Sequence, residues 1–206
     1  MSVEEDGTAL SLTVHSSEVP FDCTVEAATA WMASTGIDGT AACREPGLIT
    51  LTVATASAVQ ELIPVLLDPY IRARTTATQV ADLLQDHDLV SGIATLGTHA
   101  VEVTFGNDDL DSAIGFAALL GAPGIDAGLA LHHPDGLHGL AERIQWLVTG
   151  IVGTTVYASA VPGCAHAPDQ ITLQLTIEQA RILLQRQAHV SNHAATATSA
   201  ERRATA

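Results

Sequence analysis

The side chains able to do chemistry are densest where His132, His133, Asp135 and His138 follow one another closely. Zinc is held by three or four nitrogen, sulfur or carboxylate ligands, and all three types occur here once Cys164 and His166 are counted from a later loop. If His132, His133 and His138 converged, they would form an open site able to activate water, which is the chemistry of a metal-dependent hydrolase. The spacing fits no standard ligand pattern, and adjacent histidines usually point apart. The plainer reading is a polar loop in which Asp135 caps a following helix and His138 is solvated in its first turn. No cofactor is therefore expected, and zinc is the metal this loop would take if its ligands met.

Other reactive groups meet similar objections. Asp86-His87-Asp88 offers a carboxylate to orient an imidazole, but three consecutive residues do not share a helical face. Asp108, Asp109 and Asp111 suit the positive end of a helix and lack the twelve-residue loop of calcium hands. Cys43 stands beside Arg44, which favours a thiolate, yet no sequence feature supplies the positioned base that a cysteine nucleophile needs. Nucleophile elbows, phosphate-binding glycine loops and the H-E-x-x-H zinc motif are all missing from the sequence.

Composition narrows the classes further. The 206 residues are 47% hydrophobic but only 3% aromatic, so the core must be aliphatic. A net charge of −15 opposes binding to nucleic acid or to an anionic membrane surface. All eight basic residues are Arg, which removes lysine Schiff-base chemistry and a P-loop lysine. Three cysteines, Cys23, Cys43 and Cys164, form no C-x-x-C pair and suggest a reducing, cytoplasmic setting. No apolar run reaches the roughly 18 residues of a membrane span.

The elements that would position any site are visible as periodicities. Leu10, Leu12 and Val14 alternate with Ser11 and Thr13 as in a half-buried strand. A helix is predicted over 24–34, ending at Gly36, and then a hairpin whose second strand presents Ile49, Leu51 and Val53. Val59, Leu62, Ile63, Leu66 and Leu67 follow helical spacing, with Pro64 expected to kink the helix and Asp68-Pro69 to end it. The second unit's helix is expected to start near Thr76 or Thr78, ahead of a strand carrying Val101, Val103 and Phe105. Residues 125–131 read as one more strand. Leu137, Leu140, Ile144, Leu147 and Val148 give a helix, Val156, Ala158 and Ala160 an alternation, and Ile171, Leu173 and Leu175 a strand. Thr176 and Gln179 then stand as a capping box before a last helix to about residue 188.

The phrase Thr35-Gly36-Ile37-Asp38-Gly39-Thr40 returns as Thr149-Gly150-Ile151-Val152-Gly153-Thr154 with one change. Repetition of this kind predicts tandem helix-strand-strand-helix units at 9–75, 76–132 and 133–190, between a flexible acidic arm at 1–8 and a disordered tail at 191–206. The expected class is α+β, an antiparallel or mixed sheet with helices packed on one face, because a hairpin cannot bury its apolar side alone. The element order resembles ferredoxin-like folds. It is also similar in pattern to the small-molecule-sensing ACT modules built on that fold, and this resemblance implies a regulatory ligand-binding domain.

The functional expectation is a non-enzymatic cytoplasmic module that binds a protein partner or another copy of itself. Its contacts are expected along Ile49, Leu51, Val53, Ile171 and Leu173, or across Leu62 and Leu66, with no role for nucleic acid or membrane. The alternatives are the ACT-like sensor and the metal-dependent hydrolase.

Overall fold

The computed structural model describes residues 2–5, 9–15, 19–22, 24–106, 110–164 and 167–189. Cys23, Asp108, Asp109, His166 and the tail at 191–206 lie outside them. The fold is α+β, with two antiparallel sheets and helices packed against them. The chain divides into two compact units, Met1–Thr75 with Thr95–Ala100, and Thr76–Ala94 with Val101–Ala206.

In the first unit, β1 (Ser2–Glu5), β2 (Leu10–His15), β3 (Thr40–Glu45) and β4 (Leu48–Val53) form a sheet of order β1-β2-β4-β3. Register runs from Leu10 opposite Val53 to His15 opposite Leu48. Leu12, Val14, Ile49, Leu51 and Val53 therefore point to one side and are fully buried, as strand alternation requires. They meet Ala28 and Met32 of α1 (Val25–Ser34) and Leu62 of α2 (Ala56–Leu62). On the other side, Ser11 and Thr13 hydrogen-bond Thr52 and Thr50 at 3.2 and 3.1 Å. Thr24 and Thr55 cap α1 and α2, each accepting from the backbone N–H three residues on, at 3.1 Å.

Pro64 interrupts the α-helix as expected, whereas Asp68-Pro69 does not end it. Pro64 lies in a π-helical turn, Ile63–Leu67, and Asp68 donates its N–H to Ile63 O five residues back. The wider turn accommodates prolines that lack donors, so the chain stays helical from α2 into α3 (Asp68–Gln85) instead of stopping at Asp68-Pro69. Thr76 and Thr78 are accordingly inside α3 and not at its start. The helix ends where Asp88 takes a left-handed φ of 56° and Leu89 N–H reaches back to Leu84 O at 2.9 Å.

The second unit, apart from the hairpin tip Thr95–Ala100, is built from β5 (Gly92–Leu96), β6 (Ala100–Phe105), α4 (Asp111–Leu119), α5 (Pro134–Val152), β7 (Tyr157–Val161), β8 (Gln170–Thr176) and α6 (177–189). Its sheet order is β5-β6-β8-β7. Val101, Val103 and Phe105 with Ile171, Leu173 and Leu175 make the inner face, covered by Leu137, Leu140, Ile144 and Val148 of α5 and by Ala180 and Leu183 of α6. Phe105 and Phe116 stack with centroids 5.2 Å apart, the aromatic pair at the centre of an otherwise aliphatic core.

Both units thus share a strand plan, two strands, a helical connection, two strands and a helix, with the last strand inserted between the second and third; the connection is α1 in the first unit and α4 with α5 in the second. This is a cyclic rotation of the ferredoxin-like element order. The first unit takes its fourth strand from Ser2–Glu5, where acidity predicts a loose arm over 1–8; the pairing with β2, from Ser2 opposite Thr13 to Glu5 opposite Leu10, is made by the backbone, and residues 6–8 lie outside the described ones. Residues 125–131 are not a strand. Gly124 and Gly128 have φ of 72° and 78°, and they fold the segment into successive turns, with Ala127 N–H on Gly124 O at 2.9 Å. The hairpins at 92–105 and 157–176 share one sheet, while the hairpin at 40–53 belongs to the other.

The repeated phrase sits differently in the two units. In the first, Gly36 is the left-handed residue that ends α1, with φ 78°. In the second, α5 runs through Gly150 for almost another turn and ends at Gly153, also at φ 78°. Strand β3 starts four residues after Gly36 and β7 four residues after Gly153. The glycine that stops the helix, not the wording, is the equivalent point.

Candidate functional site

The residues expected to meet a partner are core residues. Ile49, Leu51, Val53, Leu62, Leu66, Ile171 and Leu173 are each 1% exposed or less. The reason is strand order: β4 lies between β2 and β3, and β8 between β6 and β7, so neither inner strand has a free edge, and their apolar sides face helices.

Exposed apolar side chains occur at Ile63, Val65, Ile71 and Val90, and the most exposed lie on the edge strand β7 and on α5. Tyr157 is 73% exposed, Val161 53% and Trp146 69%. In β7 the inward phase is Val156, Ala158 and Ala160, and the outward phase carries the larger Tyr157 and Val161 about Ser159. The alternation is legible in the sequence through its inward members, and the further signal is that the opposite phase holds the bulkier residues.

Register within the unit fixes which backbone groups face away from β8. Tyr157 pairs with Gln174, Ala158 with Leu173, Ser159 with Thr172, Ala160 with Ile171 and Val161 with Gln170. Ala158 N–H is donated to Gln145 Oε1 of α5 at 3.1 Å and so points outward. In an antiparallel ladder the outward groups alternate, so Ala158 and Ala160 carry them. Gln145 covers one of these donors. From Gly153 to Cys164 the sequence contains no charged residue. The edge β3 differs, since a bulge between Cys43 and Glu45 interrupts its register, a device that turns an edge away from pairing.

Among the cavities formed by the described residues, two within the second unit bear on these side chains. One, of about 530 Å³, is lined by Leu110, Asp111, Ile114, Leu131 and His132, and by Gly163, Cys164, Ala167, Pro168 and Asp169 of the loop after β7. That loop is tight: Cys164 and Ala167 form a bridge, Gly163 N–H donates to Asp169 Oδ1 at 2.6 Å, and a Cβ on Gly163 would collide with Ala167 O and Asp169 N at 2.6 Å. His132 and Cys164 both line this cavity. The other histidines of the set are engaged separately. His133 stands at the N-cap of α5 without a side-chain cap bond, its ring 4.3 Å from that of His132, and His138 Nδ1 is 2.7 Å from Pro134 O. Asp135 lies in the first turn and is not the cap; Pro134 occupies that turn's start, where a missing N–H costs nothing. Among the described residues no three His, Cys, Asp or Glu side chains are grouped to hold a cation.

The second cavity, about 610 Å³, runs between the turns at 122–129 and α5 and is lined by Ile125, Leu129, Gly139, Arg143, Trp146 and Leu147. Arg143 fixes its wall by donating to Ile125 O and Ala127 O at 2.6 and 2.9 Å. Cys43 and Cys164 are free and exposed. Asp86, His87 and Asp88 are exposed at the end of α3 and serve its termination. No described helix is long and apolar enough to cross a membrane.

Comparison of the chain with protein-family models, curated proteins and solved structures finds no match.

Proposed function

We propose that this chain is a non-enzymatic protein-binding or assembly module whose contact surface is the outer edge of the second unit's sheet. The observation carrying this reading is the combination on β7 of outward backbone groups at Ala158 and Ala160 with exposed Tyr157 and Val161 on an uncharged stretch. Natural edges are commonly blunted by charge, proline or a bulge, and residues 157–161 contain none of these. An edge of this kind takes an added strand through main-chain bonds, with alternate side chains supplying selectivity. Size-exclusion chromatography with light scattering, together with mild co-purification, tests it. A protein that is strictly monomeric and carries no partner would defeat the reading.

A small-molecule-sensing domain is the second reading, and the cavity beside Trp146 favours it, because an aromatic wall and aliphatic lining suit an apolar ligand. Thermal-shift screening separates the two, since a ligand bound only by the native state raises the midpoint and a scaffold responds to none.

A further inference from the structure

Edge strand β7 has an internal symmetry that narrows the identity of its partner. Ser159 is its central residue, the outward backbone groups belong to Ala158 and Ala160 on either side, and the two exposed apolar side chains, Tyr157 and Val161, stand two residues away in each direction. A strand with this arrangement is complementary to its own reverse. Laid antiparallel against itself about a twofold axis through Ser159, it would place Ala158 opposite Ala160 of the second strand, with each such pair exchanging both N–H···O bonds. Tyr157 would lie beside Val161 of the other strand, an aromatic against β-branched pair of the type that stabilises sheets. Shifting the register by two residues in either direction would leave an apolar side chain without its counterpart. Pro162 follows directly and bars extension beyond Val161, so the pairing is limited to the five residues that show the symmetry.

Charge favours the same partner at the same place. Two molecules of net charge −15 repel, and they approach with least cost where each presents a strip free of charged side chains. Gly153–Cys164 is such a strip.

One group obstructs the pairing. The Ala158 N–H that a second strand would use is already held by Gln145 Oε1 at 3.1 Å. Pairing must exchange this side-chain acceptor for Ala160 O of the other molecule, once on each side of the axis.

We infer that β7 is a self-pairing edge. It joins the β7 strand of a second copy of this chain in antiparallel, twofold-symmetric register about Ser159, and Gln145 acts as a side-chain latch that lowers the affinity by occupying the Ala158 donor. The inference rests on the assembly reading above and specifies its partner.

The test uses the full chain with Cys23, Cys43 and Cys164 replaced by Ser, in sedimentation and light-scattering measurements over a concentration series. Reversible dimerisation is expected. Ser159→Cys should link to itself under mild oxidation, because directly opposed residues without mutual hydrogen bonds lie about 4.5 Å apart at Cα, within disulfide reach. Ala158→Cys, whose side chain points to the helical side, should not. Ser159→Lys, which brings two like charges onto the axis at an exposed position, should leave the circular dichroism unchanged and abolish the dimer; Tyr157→Asp provides a second, independent disruption. Gln145→Ala should tighten the dimer about tenfold, since two donors are released per dimer at a modest net gain each. A purely structural Gln145 would instead lower the melting temperature without tightening association.

A dimer that persists in folded Ser159→Lys and Tyr157→Asp would overturn the inference while leaving the assembly reading standing through another surface. A wild-type monomer that instead binds an unrelated protein, in a manner sensitive to Ser159→Lys, would overturn self-pairing but keep the binding module. A monomer at every concentration, with Ser159→Cys unlinked and no partner, would remove both.

Discussion

Gln179 and Thr176 secure the head of α6 by holding each other's backbone. Thr176 N–H donates to Gln179 Oε1 at 2.8 Å, and Gln179 N–H donates to Thr176 Oγ1 at 3.2 Å. The amide of Gln179 also donates to Thr155 O at 2.9 Å and Thr154 Oγ1 at 3.0 Å, so a side chain only 8% exposed is fully satisfied and ties α6 to the chain between α5 and β7. Gln179→Ala should therefore cost about 2–3 kcal/mol, because it leaves buried groups unpaired, whereas Thr176→Ala should cost about 1 kcal/mol as an ordinary cap loss. Urea denaturation of the two variants measures the difference. Equal losses would mean that the link to Thr155 contributes little.

The two glycines of the second repeated phrase should respond to alanine in opposite directions. Gly150 lies inside α5, with open space around the position a Cβ would take, so Gly150→Ala should stabilise by about 0.5–1 kcal/mol. Gly153 has φ 78° at the helix end, and Gly153→Ala should destabilise by about 1–2 kcal/mol. In the first phrase both replacements should be harmful: Gly36 has φ 78°, and a Cβ on Gly39 would meet Met32 Cε and Thr52 O at 2.5 Å. Thermal melts of the four variants check the assignment.

Residues of the inner strands should affect stability alone. Leu173→Ala and Leu51→Ala, both in cores without exposure, should each lose about 2–5 kcal/mol. Trp146→Ala should change stability by less than about 0.5 kcal/mol, its side chain being largely in water. Tryptophan fluorescence gives an independent check. Trp146 should supply the red, readily quenched component and Trp31, stacked on Phe21 at a centroid distance of 5.1 Å, the blue one. Trp146→Phe should remove the red component.

Added salt should stabilise this protein. Its net charge of −15 makes repulsion within the folded state the dominant electrostatic effect, and salt screens it. The described pair Arg181–Glu178 is exposed and 3.5 Å long, so screening it sacrifices little. A melting temperature that falls as sodium chloride is raised from low to physiological strength would contradict this.

Much of the fold was legible because it is written in side-chain alternation. Ile49, Leu51 and Val53, the matching triplet Ile171, Leu173 and Leu175, and the Thr176–Gln179 box are local patterns with local causes. Burial on inner strands is a property of sheet order, which no single strand encodes, and so the same residues read equally well as core or as contact surface. Ser2–Glu5 was missed because its pairing is made by the backbone. Residues 125–131 read as a strand because Ile125, Leu129 and Leu131 are apolar, while the structure follows the left-handed Gly124 and Gly128 and the grip of Arg143. Of the reactive side chains, His132 and Cys164 line one cavity, and the hydrogen bond of His138 to Pro134 O depends on a helix start that the sequence does not locate to the residue.

The displacement between Gly36 and Gly153 bears on how the two halves should be compared. Overlaying them by identical letters slides one strand three positions past its true counterpart, and any odd slide turns a pleated ribbon inside out. Tyr157 and Ser159 would then be assigned to the interior and Ala158 to water, the reverse of what the fold does. Any attempt to trace a common ancestor, or to carry a substitution from one half to the other, has to be anchored on the helix-stopping residue and not on the spelling around it.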